Sequence, residues 1–491
     1  MPEPAQVVII MTDSQGANIV GCYGRPEMRT PHMDCLAAEG MRFDRAYTAS
    51  PVCGPARSAL FTGTYPHTNG SWGNNLPLGA NVKTIGQRLS DQGLATGYVG
   101  KWHLDATDYF GSGRCPEGWK PDFWFDMRCY LDAMSPEDRL FSRVPTREQI
   151  HARGMTAEFT FAHQCTERAR AFLSQHRNED FLLVISYDEP HHPYLCPPPY
   201  CDMFADFDYP VGENASDPMT GKPSHVQEWA EAVNLPRGRR SWRNPLYFGC
   251  NAFVDAEIGR VLEAVHAHAP HALVIYTSDH GEPLLSHGLH TKGPAMYEET
   301  ARIPFLVRWP GRVSPGSVNP HPVSHIDLVP TVLEAFGLAS PPFLEGRSLQ
   351  AAFCDPAARA NETVFLEFNR YEVDHDGWGG FQPIRCAHDG RFKLVTNLLT
   401  SDELYDLETD PQEMYNLIGS EAHAEVRDRL HAQLLEWMNR TRDPFRGPAW
   451  ERRPWQCKRT LGWDGPMRVR PDDGYERPVL NYSTGLEPED P

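Results

Sequence analysis

A cysteine and an arginine four residues apart mark the segment of the sequence best suited to chemistry. They belong to the run Cys53-Gly54-Pro55-Ala56-Arg57. Pro55 suits the first turn of a helix, so Cys53 is predicted just before that helix, facing its positive end. One turn of helix brings Arg57 back toward the same end, and a nucleophile, backbone N–H groups and a guanidinium then converge on an anion. The same spacing also fits a buried free cysteine beside a capped helix.

Acids, imidazoles and an ammonium group follow four short apolar runs, at residues 7–11, 94–99, 181–187 and 272–278. After these runs come, in chain order, Asp13; Lys101 and His103; Asp188, Glu189, His191 and His192; and Asp279 and His280. A single acid at such a point is often only a helix cap. Open parallel sheets, however, bind ligands beyond the carboxyl ends of their strands. Four such ends together therefore predict one polar site.

The elements that must position these residues alternate along the chain. The four runs are rich in β-branched and aromatic residues, which is typical of strands buried on both faces of a parallel sheet. Helical patterns cover residues 33–39, 82–89, 156–175 and 251–266. Strands that alternate with helices predict a doubly wound α/β sheet.

The pattern changes near residue 353. Residues 364–368 and 381–395 predict strands of a smaller sheet, and residues 422–438 predict one amphipathic helix. We therefore interpret 1–352 as the main domain and 353–491 as an α+β domain. Its last part, 442–491, is rich in tryptophan and is expected to wrap over the surface as an ordered tail. Two long irregular stretches, 105–150 and 195–246, interrupt the main domain, and such loops are usually functional.

Composition limits the classes of function. The 491 residues carry 46 basic and 65 acidic side chains, a net charge of −19, which argues against nucleic acid as a partner because phosphate backbones attract positive surfaces. A small anionic substrate in a local basic pocket remains compatible with this charge. No apolar run is long enough for a membrane span or a signal peptide. The twelve cysteines lack the tight spacing of a secreted disulfide framework, so we expect a cytoplasmic, reduced protein.

The cysteine motif resembles the signature of the formylglycine-dependent type I sulfatases of the alkaline phosphatase superfamily, since it continues as Ser-Ala-Leu-Phe-Thr-Gly. The similarity extends over about residues 5–440 and is greatest to a bacterial, YidJ-like branch. Further motifs that carry it are Gly21-Cys22-Tyr23-Gly24, Gly100-Lys101-Trp102-His103, Ser278-Asp279-His280-Gly281-Glu282, Tyr297-Glu298 before Arg302-Ile303-Pro304, and Asp402-Glu403-Leu404-Tyr405-Asp406 with Asp410-Pro411 and Glu413. The resemblance implies an alkaline phosphatase-like fold, with a large mostly parallel sheet flanked by helices and a smaller C-terminal α+β domain.

In this family the motif cysteine is oxidised to formylglycine, so the resemblance implies that a formylglycine-generating or other sulfatase-maturing enzyme acts on Cys53. The hydrated aldehyde attacks sulfur with one hydroxyl and later expels sulfate, which splits one difficult step into two. Asp13, Cys53, Asp279 and His280 match the metal-ligand positions. One divalent cation is implied, Ca²⁺ first, with Mn²⁺, Mg²⁺ or Zn²⁺ as alternatives.

The remaining catalytic residues also come from the resemblance. Arg57 would hold the nucleophile and the metal-ligating carboxylates. Lys101 and His103 match the pair beside the nucleophile, with His103 as the base during sulfate release. His191 and Lys292 match the leaving-group side, where one would protonate the departing alkoxide and the other would bind a sulfate oxygen.

Three positions depart from the family pattern. Ser14, followed by Gln15, stands where a second aspartate is usual, and His280 stands where asparagine is frequent. Fewer carboxylates and one imidazole make Mn²⁺ or Zn²⁺ more compatible with the site, because Ca²⁺ prefers oxygen ligands. Lys292 lies one residue farther from Tyr297 than the pattern predicts.

The substrate is left open between a sulfated sugar and an aryl sulfate. Trp72, Asn74, Asn75, Asp105 and Tyr109 suit a sugar's apolar face and hydroxyl edge, and equally suit ordinary loops. A basic run, Arg237, Arg239, Arg240 and Arg243, fits either additional sulfates or a solvated loop. Phosphonate monoester and phosphodiester hydrolases of the same superfamily are the alternative function, although the Lys101–His103 pair favours sulfate. A non-catalytic protein that binds sulfated ligands is a further alternative, and the sequence predicts no oligomeric state.

Overall fold

A computed structural model describes residues 5–105, 110–233, 241–372 and 380–455. Its strands are β1 (Gln6–Thr12), β2 (Met41–Tyr47), β3 (Ala95–Gly100), β4 (Phe181–Ser186), β5 (Tyr209–Pro210), β6 (Ser241–Trp242), β7 (Leu273–Ser278), β8 (Arg302–Ile303), β9 (Phe305–Arg308), β10 (Ser317–Ser324), β11 (Val364–Arg370), β12 (Phe381–His388), β13 (Phe392–Asn397) and β14 (Glu403–Asp406). Its α-helices are α1 (Pro31–Glu39), α2 (Cys53–Thr62), α3 (Pro66–Asn69), α4 (Ile85–Ser90), α5 (Met127–Asp132), α6 (Pro136–Arg143), α7 (Arg147–Ala152), α8 (Phe161–Gln175), α9 (Tyr200–Met203), α10 (Ser224–Val233), α11 (Pro245–His268), α12 (Glu298–Ala301), α13 (Leu328–Ala335), α14 (Gln350–Cys354), α15 (Ala424–Arg440) and α16 (Pro448–Glu451).

The large sheet has the strand order β10-β2-β9-β7-β1-β4-β3, and β8 pairs with β2. β1 is parallel to β4 and β7, and β3 is parallel to β4. β9 is antiparallel to both of its neighbours. The predicted large, mostly parallel sheet is confirmed. Because β7, β1, β4 and β3 are consecutive and parallel, the four chemistry-bearing strand ends lie side by side.

β1 shows why these strands are continuously apolar. Val8 and Ile10 belong to the apolar cluster that contains side chains of α1, α8 and α11. Ile9 and Met11 belong to the cluster on the other face, with side chains of α2, α4 and α13. Each fully buried side chain of this size stabilises the fold by about 1.5–3 kcal/mol, so both faces of the strand contribute to the core.

A second sheet is antiparallel, in the order β11-β12-β13-β14. α15 packs against β12 and β13, and its buried residues recur at helical spacing, as Leu430, Leu434 and Met438 show. The ring of Trp437 stacks on Phe365 of β11 at 4.9 Å between ring centroids. The smaller C-terminal sheet with one amphipathic helix is therefore confirmed.

The chain up to Phe445 forms one compact unit and the chain from Arg446 a second, in which α16 is described. The domain boundary predicted between residues 352 and 353 stays a prediction. So does the wrapping tail, because residues 456–491 lie outside the described residues.

Several predicted helix bounds were wrong, and local caps explain the shifts. α8 begins at Phe161 because the side chain of Thr160 accepts a hydrogen bond from the backbone N–H of His163, and residues 157–159 form a separate 3₁₀ helix. α4 begins at Ile85 behind a Thr84 capping box. α11 begins at Pro245, six residues before the prediction, where Asn244 caps it.

Two further predictions for secondary structure need correction. Residues 381–395 form a hairpin of β12 and β13 instead of one strand, because Asp389 accepts hydrogen bonds from the N–H groups of Arg391 and Phe392 and turns the chain. The stretches predicted as irregular contain α5, α6 and α7 in the first, and α9 and α10 in the second. These short helices are held by tertiary packing, which local sequence periodicity does not reveal.

The described part of the chain has no helix with the length and apolar content that crossing a bilayer requires. Each of its cysteines is a free thiol. The cytoplasmic location stays a prediction.

Gly100, the last residue of β3, allows a close approach of two strands beside the site. Its φ is +116°, and a Cβ at this position would lie 1.9 Å from the carbonyl oxygen of Ser186. Gly93 also has a positive φ, of +78°, but nothing lies within 4 Å of its Cβ position. We predict that Gly93→Ala lowers the free energy of unfolding by about 1–2 kcal/mol, the conformational cost alone. Gly100→Ala should lose about 1–3 kcal/mol more because of the overlap. Urea unfolding of both variants checks this, and equal losses would contradict it.

Candidate active site

The four strand ends meet in a buried cluster. Lys101, directly after β3, lies with its Nζ 2.7 Å from Oδ2 of Asp13 and 3.1 Å from Oδ1 of Asp188. Asp13 follows β1, Asp188 follows β4, and Asp279 follows β7. All four side chains are buried. Four of the predicted strand-end residues therefore lie together, whereas Glu189 accepts a hydrogen bond from the N–H of Ala162 in α8 and His192 is exposed.

Helix α2 brings Cys53 to this cluster. Cys53 is the first residue of the helix, not the residue before it as predicted, and Val52 precedes it in extended conformation. Its Sγ lies 3.1 Å from Nε2 of His280 and 3.8 Å from Oδ1 of Asp13. The N–H of Gly54 donates to Oδ1 of Asn74 over 2.8 Å. The whole helix is buried, so Cys53 has its position fixed from every side.

Arg57, one turn along α2, joins all four strand ends. Its Nε donates to Oδ2 of Asp279 and its Nη2 to Oδ2 of Asp13, each over 3.0 Å. Its Nη1 donates to the carbonyl oxygen of Lys101 over 2.8 Å and to Oγ of Ser186 over 2.7 Å. The guanidinium therefore fixes the positions of two carboxylates that a cation would need.

Asp13, Cys53, Asp279 and His280 each offer one donor atom, and these atoms all lie within 4.8 Å of one another. Nδ1 of His280 lies 2.9 Å from the carbonyl oxygen of Gly281. A proton on Nδ1 then leaves the lone pair of Nε2 facing the cluster. Two carboxylates, an imidazole nitrogen and the side chain of Cys53 are a donor set that fits a divalent cation.

Ser14 and Gln15 have roles that differ from those of a second carboxylate. The hydroxyl of Ser14 donates to Oδ1 of Asp13 over 3.0 Å, and its backbone N–H donates to Oδ1 of Asp279 over 3.2 Å. Ser14 therefore orients the two acidic ligands. The amide of Gln15 donates to Oδ1 of Asn251 in α11 over 2.5 Å, which directs it away from the cluster.

The charges of the site differ sharply between neighbours. Burial raises the pKa of Asp13, but the positive charges around it, Lys101 first, outweigh this and hold that pKa well below its usual range. Burial and the charge of Asp13 raise the pKa of Asp279. Burial, again with Asp13, raises the pKa of the Cys53 thiol to about 12. Cys53 as encoded is thus a neutral thiol at neutral pH.

Lys101 and His103 differ in protonation although both are buried. Burial lowers the pKa of Lys101, yet Asp13 and Asp188 raise it overall, so its ammonium is charged. Burial and the charges of Lys101 and Arg57 hold the pKa of His103 well below its usual range. His103, with a φ of +59°, is therefore a neutral imidazole.

His191 and Lys292 approach the cluster from different segments. Nζ of Lys292 lies 3.4 Å from Oγ of Ser14, so the unexpected spacing to Tyr297 still brings this ammonium to the ligand side of the site. Nδ1 of His191 lies 2.8 Å from the carbonyl oxygen of His192 and 4.0 Å from Oδ1 of Asp188. Burial and the charge of Lys292 hold the pKa of His191 well below its usual range.

Sequence reasoning missed the residues that hold the segment following Lys292. Nε2 of His225, in α10, lies 2.8 Å from the carbonyl oxygen of Pro294, and its Nδ1 lies 2.9 Å from Oγ1 of Thr400. Nζ of Lys393, in the second sheet, donates to the carbonyl oxygen of Met296 over 2.8 Å. These partners are distant in sequence and belong to no local motif, so no signal in the sequence pointed to them.

Of the residues proposed to contact a sugar or additional sulfates, some lie at the site and others do not. Asn74 is at the site, where it accepts from Gly54, and Asn75 follows it half-buried. The ring of Trp72 lies 6.2 Å from that of Phe445. Asp105 accepts from the N–H of Ser112 over 2.8 Å, and Arg243 pairs with Asp208 at 2.8 Å. Four further candidates lie outside the described residues: Tyr109, Arg237, Arg239 and Arg240.

Comparison with known proteins shows the family to which the chain belongs. A family model described as Sulfatase matches residues 5–338. The chain belongs to the sulfatase family. Residues 286–440 of this sulfatase also match a model described as the C-terminal part of N-sulphoglucosamine sulphohydrolase. The chain is 46% identical to the uncharacterized sulfatase YidJ of Escherichia coli strain K12, over 98% of this chain and 96% of that protein. The predicted family and its sulfuric ester hydrolase class are confirmed.

More distant relatives act on sulfated sugars. An N-acetylglucosamine-6-O-sulfatase of Bacteroides thetaiotaomicron is 26% identical to this sulfatase over 88% of the chain and 85% of the relative. A solved structure of a protein with its substrate D-glucosamine-2-N, 6-O-disulfate has a TM-score of 0.72 at 21% identity, and the match covers 90% of this chain and 99% of that one. The second similarity supports the fold.

The donor set generates a prediction for metal content. We predict that Asp279→Asn and His280→Ala each lower the affinity for a divalent cation by at least about tenfold, and lower activity in parallel. Asp255→Asn is the matched control, because Asp255 is a buried carboxylate that accepts from the N–H groups of His32 and Met33, away from the cluster. Elemental analysis of purified protein, before and after chelation, measures the metal per chain. Unchanged metal content in both ligand variants would contradict the assignment.

Proposed function

We propose that this sulfatase removes sulfate from a small sulfated sugar or aryl sulfate, with Cys53 converted to formylglycine as the nucleophile. The observation that supports this most directly is the position of Cys53. Its side chain stands at the start of a buried helix, and its Sγ is within 4.8 Å of donor atoms of Asp13, Asp279 and His280. Arg57 holds both of those carboxylates.

We infer a single divalent cation at these residues. The resemblance favours Ca²⁺, and Mg²⁺ is also an oxygen-preferring ion, whereas the imidazole of His280 is a donor that Mn²⁺ and Zn²⁺ accept more readily. When bound, such a cation neutralises negative charge on the sulfate and lowers the pKa of a coordinated hydroxyl. Asp13 and Asp279 would hold it, with Arg57 and Ser14 fixing the orientation of their carboxylates.

The hydrated formylglycine of this family supplies one hydroxyl that attacks sulfur and a second whose deprotonation releases sulfate. His103 is the proposed base for that release, since a neutral imidazole nitrogen can accept a proton. Lys101, charged between Asp13 and Asp188, is the proposed donor toward the sulfate group. A maturing enzyme that generates formylglycine is the partner this proposal requires.

Lys292 and His191 divide the leaving-group side in this proposal. Lys292 lies beside Ser14, which contacts both acidic ligands, so its ammonium is suited to a sulfate oxygen next to the cation. His191 then remains for the leaving group. Its Nδ1 faces the carbonyl oxygen of His192, so Nε2 must carry the proton that is transferred, and the negative charge of a bound sulfate favours that protonated form.

The charge of the chain supports a small substrate. A net charge of −19 repels long polyanions, while a single sulfate group can be bound by the buried cations Lys101 and Lys292. The sugar sulfate named for one relative, the N-acetylglucosamine-6-O-sulfatase, favours a sugar over an aryl alcohol. Phosphonate monoesters and phosphodiesters, the substrates of the alternative function, serve as comparison substrates in the assays.

We predict that Cys53→Ala abolishes sulfate release, by at least about 1000-fold, as loss of a covalent nucleophile does, while the protein stays folded. Cys354→Ala, at an exposed thiol, is the control and should keep full activity. Intact-mass analysis of the wild type should show an aldehyde at position 53. Turnover by Cys53→Ala within about tenfold of wild type would reject the mechanism. A thiol in an inactive wild type would favour the binding-protein alternative.

We predict that His191→Ala impairs hydrolysis of sugar sulfates by about 100- to 10,000-fold more than hydrolysis of nitrophenyl sulfate. A sugar alkoxide is a strong base that needs a proton as it leaves, whereas nitrophenolate does not. Lys292→Ala should slow both substrates equally, because the sulfate group is common to them. The ratio of the two kcat/KM values for each variant measures this. If Lys292→Ala shows the differential loss and His191→Ala the equal one, the two roles must be exchanged.

A further inference from the structure

A second group of metal-binding side chains lies outside the catalytic cluster. It consists of His151 at the end of α7 and of Cys201 and Asp202 in α9, and their donor atoms all lie within 4.8 Å of one another. None of these residues has a role in the proposed reaction. α9 lies in the second stretch that was predicted as irregular, and α7 begins in the first and ends just after it, so the cluster connects segments that are about 50 residues apart.

The three side chains already point toward a common centre. Nε2 of His151 lies 3.0 Å from Oδ1 of Asp202 and 3.9 Å from Sγ of Cys201. A tetrahedral zinc site with bonds of about 2.0–2.3 Å separates its donor atoms by roughly 3.3–3.8 Å, and the two observed distances bracket that range. Small side-chain rotations are therefore enough to reach it.

The burial of the three residues differs in a way that suits a metal. Cys201 is buried, whereas the side chains of His151 and Asp202 are 48% and 33% exposed. The thiol lies on the buried side of the cluster, and an ion can enter from the solvent side. Nitrogen, sulfur and oxygen donors together favour Zn²⁺ over Ca²⁺ or Mg²⁺, and water can complete the fourth position.

Arg147 competes with a metal at this cluster. Its Nε donates to Oδ1 of Asp202 over 2.5 Å, and its side chain is 46% exposed. An exposed ion pair of this kind contributes little stability, so the guanidinium can move into solvent when a cation binds the carboxylate.

We propose that His151, Cys201 and Asp202 bind one Zn²⁺ ion. The Cys201 thiol loses its proton to solvent as the Zn–S bond forms, so binding releases one proton per ion. The bound ion joins α7 to α9. It thereby stabilises the two long stretches that interrupt the main domain. This inference does not depend on the proposed catalytic roles.

The experiment uses Co²⁺ as a spectroscopic probe in a Cys53→Ala background. That background removes the thiol of the catalytic cluster, so a thiolate-to-cobalt charge-transfer band reports only on other cysteines. Metal-free protein is titrated with Co²⁺, and bound Co²⁺ is then displaced with Zn²⁺. We expect Co²⁺ to produce the band and Zn²⁺ to abolish it; a cation at Asp13, Asp279 and His280 does not contribute, because these residues supply no thiolate.

Matched variants in the same background test each ligand. Cys201→Ser and His151→Ala should remove the band or weaken Co²⁺ binding by at least about tenfold. Cys35→Ser, which removes an exposed thiol elsewhere, should leave the band intact. Arg147→Ala should tighten binding several-fold, because it frees the carboxylate of Asp202.

Three results would overturn the inference: no band in the parent protein, a band that survives Cys201→Ser, or a band that survives His151→Ala with unchanged affinity. If Cys201→Ser does not fold, His151→Ala decides, since this side chain is half-exposed and its loss leaves the core unchanged.

Discussion

The guanidinium of Arg57 is the interaction on which the rest of the site depends. It is fully buried and donates to two carboxylates, one carbonyl and one hydroxyl. Only arginine has a planar side chain whose N–H groups point in enough fixed directions to reach all four. Two buried carboxylates a few ångströms apart repel each other strongly unless positive charge lies between them. Arg57 supplies that charge, and Lys101 supplies more to Asp13. The ends of β1, β3, β4 and β7 can approach one another because these cations compensate the acids.

The second sheet also holds segments that border the site. Lys393 of β13 donates to the carbonyl of Met296 and pairs with Glu298 at 3.0 Å and Glu413 at 2.7 Å. These bonds fix the segment that follows Lys292. The carbonyl of Tyr371, after β11, accepts from the N–H of Asn74, which in turn contacts the start of α2. The C-terminal family model matches residues 286–440. It therefore covers both the segment around Lys292 and the second sheet.

The sequence was most informative where polar side chains come directly after a predicted strand or lie on a predicted helix. Asp13, Lys101 and Asp279 were predicted to meet because parallel strands bring their carboxyl ends to one edge, and they do. Helical spacing predicted that Arg57 returns toward the Cys53 end of its helix, whereas its role in holding the carboxylates was implied by the family resemblance. The predictions that failed involve either short local signals or contacts between distant segments. α5, α6 and α7 are only six to eight residues long, so each presents less than three turns of pattern. The hairpin turn at Asp389 is set by one side chain. The bonds of His225 to Pro294 and Thr400 join segments that no spacing rule relates.

The enclosure of α2 limits when Cys53 can be altered. The side chain of Cys53 is 1% exposed, and each of the ten residues of its helix is buried. Another protein cannot reach that thiol without opening the core of the main domain. On the proposed function, oxidation to formylglycine therefore belongs to the interval between synthesis of the segment and closure of the sheet around it. Folding and maturation are then in kinetic competition. On that same proposal, a chain that folds before it meets a maturing enzyme would remain an inert thiol protein, and the yield of active enzyme would depend on the timing of that encounter as well as on the stability of the native state.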